Sequence, residues 1–173
     1  FYNVPAMVRM EGHLDAEVLE RSLREVIRRH EVLRSTFHAS PEGPVQVVAP
    51  APEQVLARVD LREVPAGARE DEVRRLALAE ATRPFDLGRG PLVRCTLLRL
   101  DDSVHVVLLT LHHIVSDGWS MGLLIREVGA LYGAFLAGQP SPLPELPVQY
   151  ADHAVWQRRW LRGEVMETQL SWW

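Results

Sequence analysis

Two neighbouring strand patterns, at residues 92–100 and in the apolar run at 104–111, stand out in the hydrophobic pattern of this chain. Asp101, Asp102 and Ser103 lie between them and are typical of a tight turn. The second run is apolar at successive positions, whereas a strand with one solvated face alternates. The pattern therefore predicts two strands joined by a turn, with the second strand at the centre of a sheet.

Helical spacing predicts two helices before these strands. The first begins at the capping residue Asp15 and ends near His30. The second covers residues 70–82 and is ended by Pro84, because proline disfavours helical backbone at the residue before it. The apolar face of the first helix comprises Leu19, Leu23, Val26, Ile27 and His30. We therefore expect His30 to belong to the core.

A third predicted helix covers residues 120–136, with Ser120 as its cap and Gly138 as its end. Residues 139–147 contain four of the twelve prolines and indicate a stiff crossing loop. Another helix is predicted from about Gln149, and it carries Tyr150, Trp156 and Trp160.

Short strand patterns lie at residues 32–38, 45–49 and 58–61, and residues 40–44 form a turn sequence between the first two. A hairpin is therefore predicted there. Together with the helices, these strands indicate an α+β fold.

Composition narrows the function classes. The 173 residues suit one domain, and no apolar run approaches the roughly 20 residues that span a bilayer, so we expect a soluble cytoplasmic protein and no membrane contact. The formal net charge is -4, with 19 basic among 23 acidic residues, which disfavours nucleic acid as a partner. Cys95 is the one cysteine, so an internal disulfide and a cysteine metal cluster are excluded.

The sequence HHIVSDG at residues 112–118 follows the central strand directly. In extended backbone His112 and His113 point to opposite faces, so one should face a cleft and the other should pack. Adjacent histidines are badly placed to share a zinc ion, and no Gly-x-Ser-x-Gly turn indicates a serine hydrolase. The histidines could also be ordinary loop residues, but the Asp and Gly at fixed distance favour a site.

The neighbours of the histidine pair allow more than one role. Asp117 is either a general base or, as we favour, a helix cap or an arginine partner. Gly118 supplies either a positive φ or room for a ligand to approach the backbone. Trp119 either lines a pocket or, as we favour, seals the core.

Residues 112–118 resemble the signature of nonribosomal peptide synthetase condensation domains, a family in the chloramphenicol-acetyltransferase-like acyltransferase group. Two further segments resemble family motifs in the same order: RHEVLRSTF at residues 29–37 and YADHAVWQ at residues 150–157. The resemblance implies a central mixed sheet flanked by helices, in one half of a V-shaped two-lobed domain. Residues 1–173 would be the N-terminal lobe, without the family's first motif and without the C-terminal lobe.

For the chemistry, the resemblance implies peptide-bond formation between two carrier-bound thioesters, with His113 as the catalytic residue. His112, Asp117 and Gly118 would support it, and Asp117 would pair with Arg29 or, as second choice, Arg34. Ser116 and Trp119 are substrate-channel candidates. At these two positions the sequence resembles condensation domains that accept an L-configured donor.

The resemblance implies no directly bound cofactor and no metal. Substrates would arrive on phosphopantetheine arms of donor and acceptor peptidyl carrier proteins, and the C-terminal lobe and an adenylation domain would be neighbours. The alternatives are an epimerization domain, a catalytically silent recruitment domain and a stand-alone acyltransferase that uses coenzyme A. The heterocyclization variant is disfavoured, because it carries acidic residues in place of the histidine pair.

Overall fold

The computed structural model describes residues 2–173, and a four-stranded mixed sheet forms its centre. The strands are β1 (Asn3–Glu11), β4 (Ala57–Asp60), β5 (Val93–Arg99) and β6 (Val104–His112), in the spatial order β1-β6-β5-β4. β6 pairs antiparallel with both β1 and β5, whereas β4 and β5 are parallel. The predicted central position of the second apolar run is confirmed.

Strand β1 was absent from the sequence-based expectations. Val4, Ala6, Val8 and Met10 alternate with other residues, which is a strand signal that could have found it. Pro5 interrupts this pattern and is compatible with an edge strand, which is the place that β1 occupies. Through nine residue pairs, from Asn3 opposite His112 to Glu11 opposite Val104, β1 covers the free edge of β6.

Helices cover both faces of the sheet. Helix α1 (Ala16–Arg29), capped by Asp15, and helix α3 (Gly118–Leu136) pack on one face, against residues such as Cys95 and Leu111. Helix α2 (Arg69–Thr82) covers the other face, where Val73 contacts the cluster that contains Leu98 and Val106. Successive residues of β5 and β6 therefore enter two different cores, which explains why apolar residues occur on both faces of these strands.

The predicted hairpin is present as β2 (Ser35–His38) and β3 (Val45–Val48), outside the main sheet. Its first strand is shorter than expected, since Glu31–Arg34 form a turn of 3-10 helix. Ser40 and Gly43 exchange backbone hydrogen bonds across the turn. The expectation that His30 is a core residue is wrong, because its side chain keeps 26% of its surface exposed and meets a carboxylate.

The C-terminal segment forms two helices where one was predicted: α4 (Tyr150–Trp160) and α5 (Gly163–Trp172). Neither contains a buried residue, and the rings of Trp156 and Trp160 stack on the exposed side of α4. Within residues 2–173, no helix combines the length and the hydrophobicity needed to cross a membrane.

His105 on β6 is a buried histidine from which we expect a pH-dependent contribution to stability. It is 5% exposed, and its Nδ1 has no hydrogen-bond partner among the described residues. Burial lowers its pKa from the usual value of about 6.5, and the charges of Arg99 and His13 lower it further against the opposing effect of Asp102. The unfolded state therefore binds a proton more readily than the folded state does.

We expect the free energy of unfolding to fall as the pH is lowered from above about 6.5 through the depressed pKa of folded His105. In a His105→Leu variant, the free energy of unfolding should fall less steeply between about pH 7.5 and 5, as measured by urea unfolding followed by circular dichroism. His153→Leu, at an exposed histidine, is the matched control and should keep the wild-type slope. Equal slopes for all three proteins would contradict the assignment to His105.

Candidate active site

The loop that contains residues 112–118 joins the end of β6 to the start of α3. Backbone hydrogen bonds hold its first residues: the amide of His112 donates to the carbonyl of Leu92 at 3.0 Å, and the amide of His113 donates to that of Tyr2 at 2.7 Å. The amide of Val115 donates to the carbonyl of His112 at 3.0 Å. The loop is therefore fixed to the residues that directly precede β5 and β1, on both sides of β6.

His112 packs inside this loop. Its ring lies edge-on to Phe85, with 6.0 Å between the centroids, and its Nδ1 accepts a hydrogen bond from the amide of Ile114 at 3.0 Å. Burial lowers the pKa of His112, and the charge of His113 lowers it further. Because Nδ1 accepts a bond, the neutral ring carries its proton on Nε2. His112 is thus a packing residue of the loop.

His113 is exposed and opens into a cleft of about 300 Å³, which we call the His113 cleft. The cleft lies between the loop, the 3-10 turn after α1 and the first residue of α4. Its lining residues are Val32, His113, Ile114, Val115, Ser116, Asp117, Ser120 and Tyr150. The two adjacent histidines therefore face different surroundings, as the strand geometry predicted.

Asp117 caps helix α3. Its Oδ1 accepts hydrogen bonds from the amide of Ser120 at 2.8 Å and from the Ser120 hydroxyl at 2.6 Å. The hydroxyl and amide of Ser120 lower the pKa of Asp117. The expected capping role of Ser120 is therefore wrong: Asp117 precedes the helix and caps it, while Ser120 lies in the first turn and donates to the cap.

The expected pair between Asp117 and Arg29 or Arg34 is not formed. Arg29 ends α1 and packs against the middle of α3, where its Nε lies 3.4 Å from Oε1 of Glu127. Arg34 donates to the carbonyl of Ala49 at 2.5 Å and lies 3.4 Å from Oε1 of Glu31. Both guanidinium groups therefore have partners other than Asp117, and Nε of Arg34 is buried without a hydrogen-bond partner among the described residues.

Ser116, Gly118 and Trp119 surround the loop in different ways. Ser116 is buried and lies between the His113 cleft and a second cavity of about 150 Å³, which it helps to line. Gly118 does not have a positive φ, so that expected role is absent, and a Cβ atom there would meet nothing within 4 Å, so the space beside its backbone is open. Trp119 borders the second cavity and is 81% exposed, so the favoured core role is wrong.

The remaining candidate groups are a buried thiol and the metal-ligating side chains of the described residues. Burial raises the pKa of the Cys95 thiol to about 12, with a smaller contribution from Glu80, so this thiol is protonated at neutral pH. No group of three histidine, cysteine, aspartate or glutamate side chains among residues 2–173 is arranged to hold a metal ion.

Tyr150 and Val32 belong to the cleft, although neither was a candidate site residue from the sequence. Both lie inside the segments that carry the family resemblance, and that position was the available signal. Glu127 was also missed. It is a buried carboxylate on the apolar face of α3, and such a residue needs a partner.

A family model described as "Condensation domain" matches residues 1–173. Among curated relatives, one of the linear gramicidin synthase proteins of Brevibacillus parabrevis is 51% identical over 172 residues, which are 99% of this chain and 2% of that protein. The chain thus spans a small fraction of that relative.

Solved structures agree with the sequence comparison. The X-domain from teicoplanin biosynthesis is 33% identical, with a TM-score of 0.87 over 99% of this chain and 38% of that one. The X-domain in its complex with OxyB is 32% identical, with a TM-score of 0.83 over 95% of this chain and 34% of that one. The fold is that of condensation domains, which is chloramphenicol-acetyltransferase-like, so the predicted α+β class is confirmed.

Removal of the cap on α3 tests the structural role of Asp117. We expect Asp117→Ala to lower Tm, because two hydrogen bonds from Ser120 are lost, whereas Asp117→Asn should retain most of the stability, since asparagine caps helices about as well as aspartate. Differential scanning calorimetry of both variants measures this. An unchanged Tm for Asp117→Ala would show that the cap contributes nothing to stability.

Proposed function

The chain belongs to the condensation-domain family, and on that premise we propose that it forms peptide bonds between two carrier-bound thioesters in nonribosomal peptide synthesis. His113 assists the attack of an amine on a thioester. The observation that carries the proposal is the placement of His113: an exposed imidazole in an open cleft, on a loop held by backbone hydrogen bonds.

The proposed reaction begins when the acceptor's α-amine attacks the carbonyl carbon of the donor thioester. A carbon–nitrogen bond forms, and the carbonyl π electrons move to oxygen. The nitrogen then loses a proton to His113. The oxyanion re-forms the carbonyl as the carbon–sulfur bond breaks, and the departing thiolate takes the proton from His113, which returns to its neutral form. No oxidant or reductant enters this balance.

His113 acts by positioning the amine and by taking its proton late. A free α-amine has a pKa near about 8 and an ordinary histidine one near about 6.5, so removal of a proton from the resting ammonium by histidine is uphill. After attack, the ammonium of the tetrahedral adduct is far more acidic, and transfer to His113 becomes favourable.

The residues around His113 support it in distinct ways. His112 packs in the loop, Asp117 caps the helix that follows, and the open space at Gly118 lets a substrate approach the backbone. Ser116 and Trp119 border the channel, and their identities favour an L-configured donor. Arg29 and Arg34 support the cleft through α1 and the 3-10 turn rather than through Asp117.

The partners follow from the proposal. Donor and acceptor peptidyl carrier proteins deliver substrates on phosphopantetheine arms, and no cofactor or metal of the domain's own takes part. The chain works as the N-terminal lobe beside a C-terminal lobe and an adenylation domain, in the cytoplasm. The relation to a much longer gramicidin synthase protein supports a multidomain context.

A second candidate is a catalytically silent recruitment domain. The observation that favours it is the similarity to the X-domain of teicoplanin biosynthesis, which has been solved in complex with OxyB. Recruitment domains tend to lose the second histidine, whereas His113 is present here. An epimerization domain remains the alternative within the enzyme class, because it shares the histidine pair but moves a proton at the α-carbon.

Loss of the imidazole tests the catalytic role of His113. In the intact protein we expect His113→Ala to lower dipeptide formation by about 100-fold or more, since a positioned general base contributes about 10²–10⁴-fold. The assay supplies donor and acceptor carrier proteins loaded with aminoacyl groups and follows the product by mass spectrometry. Circular dichroism confirms that the variant is folded.

The same assay separates the alternatives. Turnover of His113→Ala within a few-fold of wild type would exclude His113 as the catalytic group. Exchange of the α-proton of a carrier-bound aminoacyl group with solvent deuterium, without dipeptide formation, would identify an epimerization domain. Absence of both reactions in wild type would favour recruitment.

Residues 1–173 by themselves test the need for a second lobe. We expect this fragment to form no measurable dipeptide from loaded carrier proteins, because one wall of the reaction tunnel would be absent. The control is the intact domain, in which residues 1–173 and the second lobe form one chain, and it should form product. Turnover by the fragment alone would show that one lobe suffices.

A further inference from the structure

The side chain of Gln149 joins the start of α4 to the end of α1. Its Nε2 donates to the carbonyl of Arg29 at 3.0 Å, and its Oε1 accepts from the amide of Glu31 at 3.2 Å. We call this pair of hydrogen bonds the Gln149 tie. Both groups at the α1 end belong to the backbone, so the tie fixes the position of the chain and not only of a side chain.

The α1 end of the tie is itself anchored. Arg29 is 7% exposed and meets Glu127 of α3, while Nε2 of His30 lies 2.7 Å from the other oxygen of Glu127. The guanidinium of Arg29 also donates to the carbonyl of Pro144 in the crossing loop. A buried carboxylate held by two side chains is costly to rearrange, so this end of α1 is a fixed reference point.

The residues of the tie are chain neighbours of two residues that line the His113 cleft. Tyr150 directly follows Gln149 in the chain, and Val32 directly follows Glu31. Tyr150 and Val32 are the two lining residues of the His113 cleft that come from outside the loop and α3. The tie therefore joins the two chain segments that carry these wall residues.

We propose that Gln149 is a positioning residue that sets the distance of Tyr150 and Val32 from His113, and thereby the width of the cleft in which the reacting groups are held. The inference rests on the proposed function, since it concerns how the same site holds its carrier-bound substrate. Its physical basis is that a displacement of about 1 Å in a reacting pair costs up to about 100-fold in rate.

A second connection between the same segments provides a matched control. Arg28 on α1 lies 2.5 Å from Glu145 of the crossing loop, but both side chains are well exposed and neither lines the His113 cleft. Exposed ion pairs add little to stability. Glu145→Ala therefore removes a link between α1 and the crossing loop without loosening the cleft wall.

The test is a double-mutant cycle in the intact protein, with wild type, Gln149→Ala, Tyr150→Ala and the double variant assayed on loaded carrier proteins. We expect Gln149→Ala to lower kcat about ten-fold while Tm changes by only a few degrees, because two hydrogen bonds at a partly exposed site are lost. Tyr150→Ala should cause a similar loss. The double variant should be no slower than the slower single variant, since both changes remove the same wall.

Two further variants serve as a control and as a partial loss of the Gln149 tie. Glu145→Ala should keep wild-type kcat and KM. Gln149→Glu retains the acceptor for the Glu31 amide and loses the donor to the Arg29 carbonyl, so its kcat should lie between those of wild type and Gln149→Ala.

Each other outcome overturns the inference or its premise. Wild-type kcat in Gln149→Ala, additive losses in the double variant, or a Tm collapse in both Gln149 variants would each show that the tie does not set the width of the cleft. A wild-type protein without turnover would instead refute the proposed function, and the positioning role of Gln149 would be refuted with it.

Discussion

The pairing of β6 on both edges and the burial of both its faces are the constraint on which the remaining structure depends. β1 and β5 satisfy its backbone groups on either side, while α1 and α3 cover one face and α2 covers the other. A strand held in this way ends at a defined point. His112 and His113 lie at that point, so the position of the proposed catalytic ring follows from the register of the sheet.

The loop after β6 holds the residues of the candidate site at this fixed end of the strand. Backbone bonds to Leu92 and Tyr2 hold the two histidines, and the Asp117 cap starts α3 four residues further along. Since α3 packs along α1, the direction of the helix is also fixed. The cleft is then completed from a distance by the 3-10 turn and by α4, which has no buried residue of its own. Its placement depends on polar ties rather than on a core.

Prediction from sequence succeeded where local physical chemistry is decisive. Asp15, Pro84 and the apolar spacing of α1 and α3 placed the helices to within a few residues, and the apolar residues on both faces of β6 identified the central strand. Strand β1 was missed although its apolar residues alternate from Val4 to Met10, because an edge strand with a proline carries a weak signal. Trp119 was expected in the core on residue type alone, which carries no information about the direction of the side chain.

The sequence by itself determined most of the helices and strands, the family resemblance and the division between a packed and a cleft-facing histidine, since adjacent residues of a strand point to opposite faces. Only the tertiary structure decided the partners of the charged groups. Arg29 was expected beside Asp117, and the packing of α1 on α3 brings it to Glu127 instead. Partner choice over about a hundred residues of separation depends on helix packing, which no local pattern encodes.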